Sequence, residues 1–320
     1  MRTFNELPEP AFFNPANAKQ WGYRPDYSKL FLAGTDWVAR HGIKPAATDD
    51  DDITLLLIDM QKDFCFPEGT LYVGGRSGTG AIDDSERMAR FIYRNLANIT
   101  QIRKTFDTHF LFQIFFAWFW VDKYGKPLNP WTIITTDMVR SGEAKPNPAV
   151  CRYIINKPYT WVLKQVEFYC AELERGGQYA LILWPPHCIL GSDGHAIVGL
   201  IEEATAFHNL ARVSQSWGEV KGGNFLTENY GAIKPEVLMT WDGKPLAEKN
   251  KKLVTLLARC KRLIIAGQAS SHCVATTEAQ LMDEFLVLDK ELLRKIYIVT
   301  DCMSAVVSRD DKGNIIPGLD

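Results

Sequence analysis

The stretch Arg262-Leu-Ile-Ile-Ala-Gly-Gln-Ala-Ser-Ser-His-Cys273-Val-Ala-Thr-Thr constrains this chain more than any other. Its apolar run, Leu263 to Ala266, is short and unbroken, as in a parallel strand buried on both faces. A turn of small residues follows. From Cys273 onward Val274, Ala275, Ala279, Leu281 and Met282 fall at helical spacing. A cysteine in the first turn of such a helix sits where backbone N–H groups point outward. Those donors and the positive helix end lower a thiol pKa and can hold an oxyanion. A lone cysteine there is equally a small buried residue, so the rest of the chain has to decide.

The same strand-then-helix pattern recurs. Ile53 to Ile58 reads as a second buried strand, ending in Asp59, with a loop over Met60 to Gly75. The pattern predicts a helix from about Asp83 to Arg103, a strand near Thr105 to His109, and a strand over Tyr179 to Trp184. Beyond these it predicts a helix over Ala196 to His208, a short strand at Ala211 to Ser214, and a helix over Lys249 to Cys260. The last strand is Lys295 to Val299, and Lys221 falls in a glycine-containing loop. Strands alternating with helices over the whole length predict a doubly wound, mostly parallel sheet in a three-layer α/β/α domain.

Residues 1–50, rich in Pro, Asn and aromatic residues, read as an N-terminal arm, with a helix near Asp36 to Arg40. The run Asp49 to Asp52 reads as a solvated turn. Residues 51–320 form the domain, and the aromatic-rich segment at about 110–177, with a helix over Trp161 to Arg175, is an insertion in it.

With 320 residues, 46% of them hydrophobic, the chain can bury a large core. A net charge of −2 gives no basic footprint for nucleic acid. The seven cysteines are dispersed with no CxxC pair and the N-terminus is polar, which points to a reducing, cytoplasmic setting. The apolar run Phe110 to Val121 is too short to span a bilayer, so no membrane partner is expected.

In open α/β sheets, sites form beyond the carboxyl ends of the strands. Asp59, Lys221 and Cys273 fall at three such ends. Asp107 and His109, two apart on a strand, point the same way and suit a metal that takes a third ligand from elsewhere.

Four ordered motifs now resemble those of the isochorismatase-like cysteine hydrolases, nearest to nicotinamidases and pyrazinamidases. They are Leu57-Ile-Asp59-Met-Gln-Lys-Asp-Phe64 (with Gly69-Thr-Leu and Val73-Gly-Gly); Asp107-Thr-His109 together with Trp184-Pro-Pro-His187-Cys; Lys221-Gly with Asn229-Tyr230-Gly-Ala; and Ala266 through Thr277 around Cys273. The resemblance runs over about residues 53–305. It implies a catalytic triad of Asp59, Lys221 and Cys273, and an oxyanion site at the N–H groups of Ala269 and Cys273. It also implies a cis peptide at Gln268–Ala269. Asp107, His109 and His187 would hold a divalent metal, zinc first and manganese or iron as alternatives. Phe64 and Trp184 would sandwich a flat ring, with Tyr230 beside it.

The implied reaction is hydrolysis of a carboxamide C–N bond through a thioester, with nicotinamide going to nicotinate and ammonia as the leading case. A larger or ureido amide, bound beneath the insertion, is the alternative within the family. A catalytically silent binding or scaffold protein is the alternative outside enzymology. The partner is a small-molecule amide, and by analogy of fold the chain is a homo-oligomer. Two departures bear on the substrate. Ser270-Ser-His272 stands where the motif usually has Thr-Asp, and the insertion is longer than in compact nicotinamidases. The role of His272, substrate contact or packing, is open at this point.

Overall fold

The structure is a computed structural model that describes residues 6–177, 179–309 and 315–316. The first five residues of the arm and most of the last ten of the domain lie outside this set.

Five parallel strands make the central sheet: β1 (Ile53–Ile58), β2 (Gln101–Asp107), β3 (Trp217–Lys221), β4 (Arg262–Gly267) and β5 (Ile296–Ile298), in the order β3-β2-β1-β4-β5. The central β1 is buried along its whole length, as its unbroken apolar run requires. The chain winds outward from it in both directions. With right-handed crossovers, helices α2 (Gly80–Arg94) and α4 (Gly199–Arg212) then fall on one face, and α5 (Lys251–Arg259) and α6 (Ala275–Leu288) on the other. The observed packing agrees: α2 touches α4, and α5 touches α6. The doubly wound, three-layer α/β/α expectation is borne out.

Several local expectations are corrected. Helix α1 spans Tyr27–His41, far longer than Asp36 to Arg40. Asp26 caps its N-terminus, Gly42 ends it at φ 62°, and Leu30, Gly34 and Trp37 form its buried stripe toward α4. Within the predicted loop 60–75, Lys62–Cys65 forms one helical turn. Helix α2 ends at Arg94 and β2 starts at Gln101, because Arg103 and Lys104 are strand residues paired with Glu219 and Glu202 at 2.8 and 2.7 Å. Polar pairs of this kind hide a strand from any hydrophobic pattern.

Ala211 and Arg212 belong to α4, and the strand lies later, at β3. An edge strand reading Trp-Gly-Glu-Val-Lys carries no apolar run to betray it. The predicted strand at Tyr179 to Trp184 shrinks to Leu181–Ile182, antiparallel to Ile133–Ile134 and outside the main sheet. The last strand is likewise shorter, β5. Asp49 is no solvated turn residue: it pairs with the buried Arg212 and accepts from Thr100 Oγ1 at 2.7 Å.

The segment 110–177 carries two-residue ladders, a helix at Thr136–Ser141 and the longer α3 (Tyr159–Gly176), the two helices packing against each other. Phe115 and Phe116 come from this segment and lie behind the site described next.

Candidate active site

Strand register brings the chemistry together. Asp107 is the register partner of Lys221 on β3, and Ile58 that of Gly267 on β4. Asp59 and the turn 268–273 therefore leave adjacent strands side by side. Gly267 has φ 135°, and a Cβ there would stand 2.0 Å from Ile58 O, so only glycine lets the turn leave the sheet this close to β1. The Gln268–Ala269 peptide is cis, as the motif resemblance implied. Gln268 Nε2 donates to Asp84 at 2.8 Å and holds the turn from beneath.

Lys221 Nζ occupies the centre. It lies 2.9 Å from Asp59 Oδ2, 3.0 Å from Asp107 Oδ1, 3.1 Å from Asn229 O and 3.8 Å from Cys273 Sγ. All four side chains involved, with their two carboxylates, are buried. Gly222 follows at φ 85°; a Cβ on it would meet His109 and Asp107 at 2.6 and 2.8 Å, which gives the Lys-Gly pair its physical meaning.

Burial opposes the charge on Lys221, but Asp107 and Asp59 outweigh it and hold the ammonium well above the ordinary lysine range. Burial raises Asp59 despite Lys221, which makes it the stronger base. The Cys273 thiol is pushed well above its ordinary value by burial, with Lys221 opposing and Asp59 adding. The helix-end expectation of a lowered thiol pKa is thus reversed. Cys273 stands in one turn of π-helix, Ser270–Val274, ahead of α6, so enclosure and a neighbouring carboxylate govern it. Burial thus favours the neutral thiol at Cys273, while Lys221 Nζ lies against the Asp59 carboxyl.

Beside this triad, Asp107, His109 and His187 offer ligand atoms all within 4.8 Å of one another. His109 Nδ1 faces Gly222 O at 3.1 Å and His187 Nδ1 faces Pro185 O at 2.7 Å. A carbonyl only accepts, so both Nδ1 atoms carry the proton and both Nε2 lone pairs turn inward. They meet Asp107 Oδ2 at 2.9 and 3.5 Å. Among the described residues, no hydrogen-bond donor faces the buried His109 Nε2. Three lone-pair donors converging in this way fit a divalent cation.

The cleft above Cys273 is lined by Phe64, Trp184, Tyr230, His187 and Ala269, all expected, and by Leu71, Glu228, His272 and Val306. Trp184 Nε1 donates to Tyr230 Oη at 3.0 Å, and the Phe64 ring lies 5.4 Å from His187. The free space is about 30 Å³, room for one or two waters, so a ligand must part these walls. No residue of 110–177 lines it.

Sequence reasoning missed Glu228, whose buried carboxyl is raised to about 8 by burial. It sits two residues before Tyr230, a position no periodicity marks. It also missed Gln61, which receives Asp107 N at Oε1 and donates from Nε2 to Asp107 O, each at 2.8 Å, clamping the β2 end. Thr105 donates to Asp59, and its place two residues before Asp107 was the available signal. His272 stacks on Tyr179 at 4.7 Å, is lowered to about 4 by burial, and lines the cleft.

No family model and no curated protein matches the chain. Among solved structures it is similar to a nicotinamidase/pyrazinamidase of Acinetobacter baumanii, at 16% identity, covering 80% of this chain and 86% of that one, TM-score 0.45. It is also similar to the yeast nicotinamidase bound to the inhibitor nicotinaldehyde, at 19% identity, 77% and 99% coverage, TM-score 0.45. A third is the pyrazinamidase of Pyrococcus horikoshii in complex with zinc, at 18% identity, 78% and 98% coverage, TM-score 0.37. Among the described residues no helix is long and apolar enough to cross a membrane.

Proposed function

We propose that this chain is a cysteine amidohydrolase for a small, flat carboxamide, with nicotinamide as the leading substrate. The observation that carries it is Lys221 Nζ placed between Asp59, Asp107 and Cys273 in one buried cluster.

As the amide carbon approaches, Asp59 takes the proton from Sγ, and Lys221 compensates the charge on sulfur. The Sγ–C bond forms and the carbonyl π pair moves to oxygen, which the N–H groups of Ala269 and Cys273 receive. Asp59 returns the proton to nitrogen, the C–N bond breaks, and ammonia leaves a thioester on Cys273. Water, deprotonated by Asp59, adds to the thioester carbon, and the thiolate leaves and regains a proton. The raised pKa of Asp59 suits it to both directions of transfer.

Asp107, His109 and His187 would hold the metal, and two nitrogens with one carboxylate suit zinc, with manganese or iron less favoured by the nitrogen donors. Bound there, it would supply a Lewis-acid coordination point for a substrate ring nitrogen. Phe64 and Trp184 would flank the ring, with Tyr230 fixing the Trp184 indole.

A narrow cleft without residues of the insertion supports a small substrate over a larger or ureido amide. Joint retention of Asp59, Lys221 and Cys273 in contact speaks against a silent scaffold. The test is ammonia release from nicotinamide, benzamide and a bulky peptide-like amide. Release from nicotinamide above the other two is expected; release only from the bulky amide would replace the substrate class.

A further inference from the structure

On the far side of the Lys62–Cys65 turn from Phe64 lies a second groove, of about 400 Å³, within the range of small-ligand sites. Lys62 stands at its base. It is 5% exposed, and among the described residues its ammonium has no hydrogen-bond or ion-pair partner. It lies only over the Trp21 ring, 5.3 Å from the centroid. The stem is buried, while the ammonium itself opens onto the groove, where an anion can reach it.

The other charges of the groove are already matched. Glu202 accepts from Lys104 at 2.7 Å and from Tyr27 Oη at 3.3 Å. Asp193 faces Arg24 across the rim at 4.0 Å. Burial lowers the Lys62 pKa, with Asp193 and Arg24 acting in opposite directions. The groove also meets the first turn of α4 at Gly199, where the N-cap Val198 supplies no side-chain cap. The positive helix end thus lies beside the Lys62 cation. Tyr23, Tyr27 and Phe106 make flat walls.

We propose that this groove is a binding site for a small aromatic monocarboxylate, its carboxylate on Lys62 and its ring between Tyr23, Tyr27 and Phe106. One unmatched positive charge, with Asp193 and Glu202 close by, favours a monoanion over a dianion such as phosphate. The aromatic walls favour a flat body. The site is separate from the cleft over Cys273, since the two share no lining residue.

The test is fluorine NMR titration of the full chain with 4-fluorobenzoate, and with inorganic phosphate as competitor. Binding at millimolar or lower concentration is expected, unmoved by phosphate. It should weaken about tenfold or more in Lys62→Met, the effect of deleting a charged hydrogen bond, and persist in Lys62→Arg. Lys62→Met should unfold no earlier than the parent without ligand, since the Lys62 ammonium makes no hydrogen bond or ion pair among the described residues; a lowered melting temperature would make Lys62 a structural partner of Trp21 and overturn the proposal. So would absence of binding, equal binding by Lys62→Met, or displacement by phosphate.

Discussion

Lys221 and Asp107 are register partners on neighbouring strands, and their side chains meet at 3.0 Å. Asp107 turns its other oxygen to His109 and His187. One carboxylate therefore joins the candidate metal site to the triad, and its pKa is held well below the carboxylate range, against burial, with the Lys221 ammonium beside it.

Asp107→Asn should abolish metal retention, because a neutral amide is a poor ligand in a two-histidine site. Elemental analysis of the purified variant should show at least about a tenfold fall in bound metal relative to the parent, the scale of losing a ligand's support. Equal metal content would place the ion elsewhere.

Asp59 and Lys221 should be coupled. Removing one member of a buried pair costs about 3–5 kcal/mol, because the other charge is left alone. Asp59→Asn and Lys221→Met should each lower stability in urea denaturation by about that amount. The double variant should lose less than their sum. Simple additivity would mean that the two do not interact.

Gly267→Ala should be far worse than Gly243→Ala. Both glycines have positive φ, but a Cβ at 267 meets Ile58 O at 2.0 Å, whereas none lies within 4 Å at 243. Denaturation midpoints would show about 1 kcal/mol lost at 243 and separation of β1 from β4, seen as lost soluble protein, at 267.

Acid should weaken the fold through His208. Burial lowers it to about 4, with its Nε2 on Ile99 O at 2.9 Å. Between that value and 6.5 the unfolded chain binds more protons, so stability is full above 6.5 and is lost as pH falls toward 4. The slope is at most about 1.4 kcal/mol per pH unit for one group. His272, also near 4, acts in the same sense, and Glu228, near 8, in the opposite one. Both are common to parent and variant, so a flatter stability profile in His208→Gln isolates His208. Parallel profiles would contradict this.

The fold was legible where burial is complete on both faces. The runs at Ile53–Ile58 and Leu263–Ala266 locate β1 and β4 because nothing but a core accepts them. Strands β2 and β3 were blurred because Arg103, Lys104 and Glu219 carry paired charges, and Trp217 and Val220 face solvent at an edge. The ordered motifs brought Asp59, Asp107, His109, His187, Lys221 and Cys273 to one place, since each ends or follows a strand. Gln61 and Glu228 were not legible, because a hydrogen-bonding role is a matter of distance across strands. The thiol pKa was misread for a related reason: the sequence shows a helix end, while enclosure depends on every other element around it.

The central claim is a thioester on Cys273, and its most direct test is hydroxylamine partitioning. Incubated with nicotinamide and hydroxylamine, the protein should release ammonia and divide its product between nicotinate and the hydroxamate, with all three absent in Cys273→Ala. Ammonia release that continues undiminished in Cys273→Ala, or proceeds in the parent without any hydroxamate, would contradict the account.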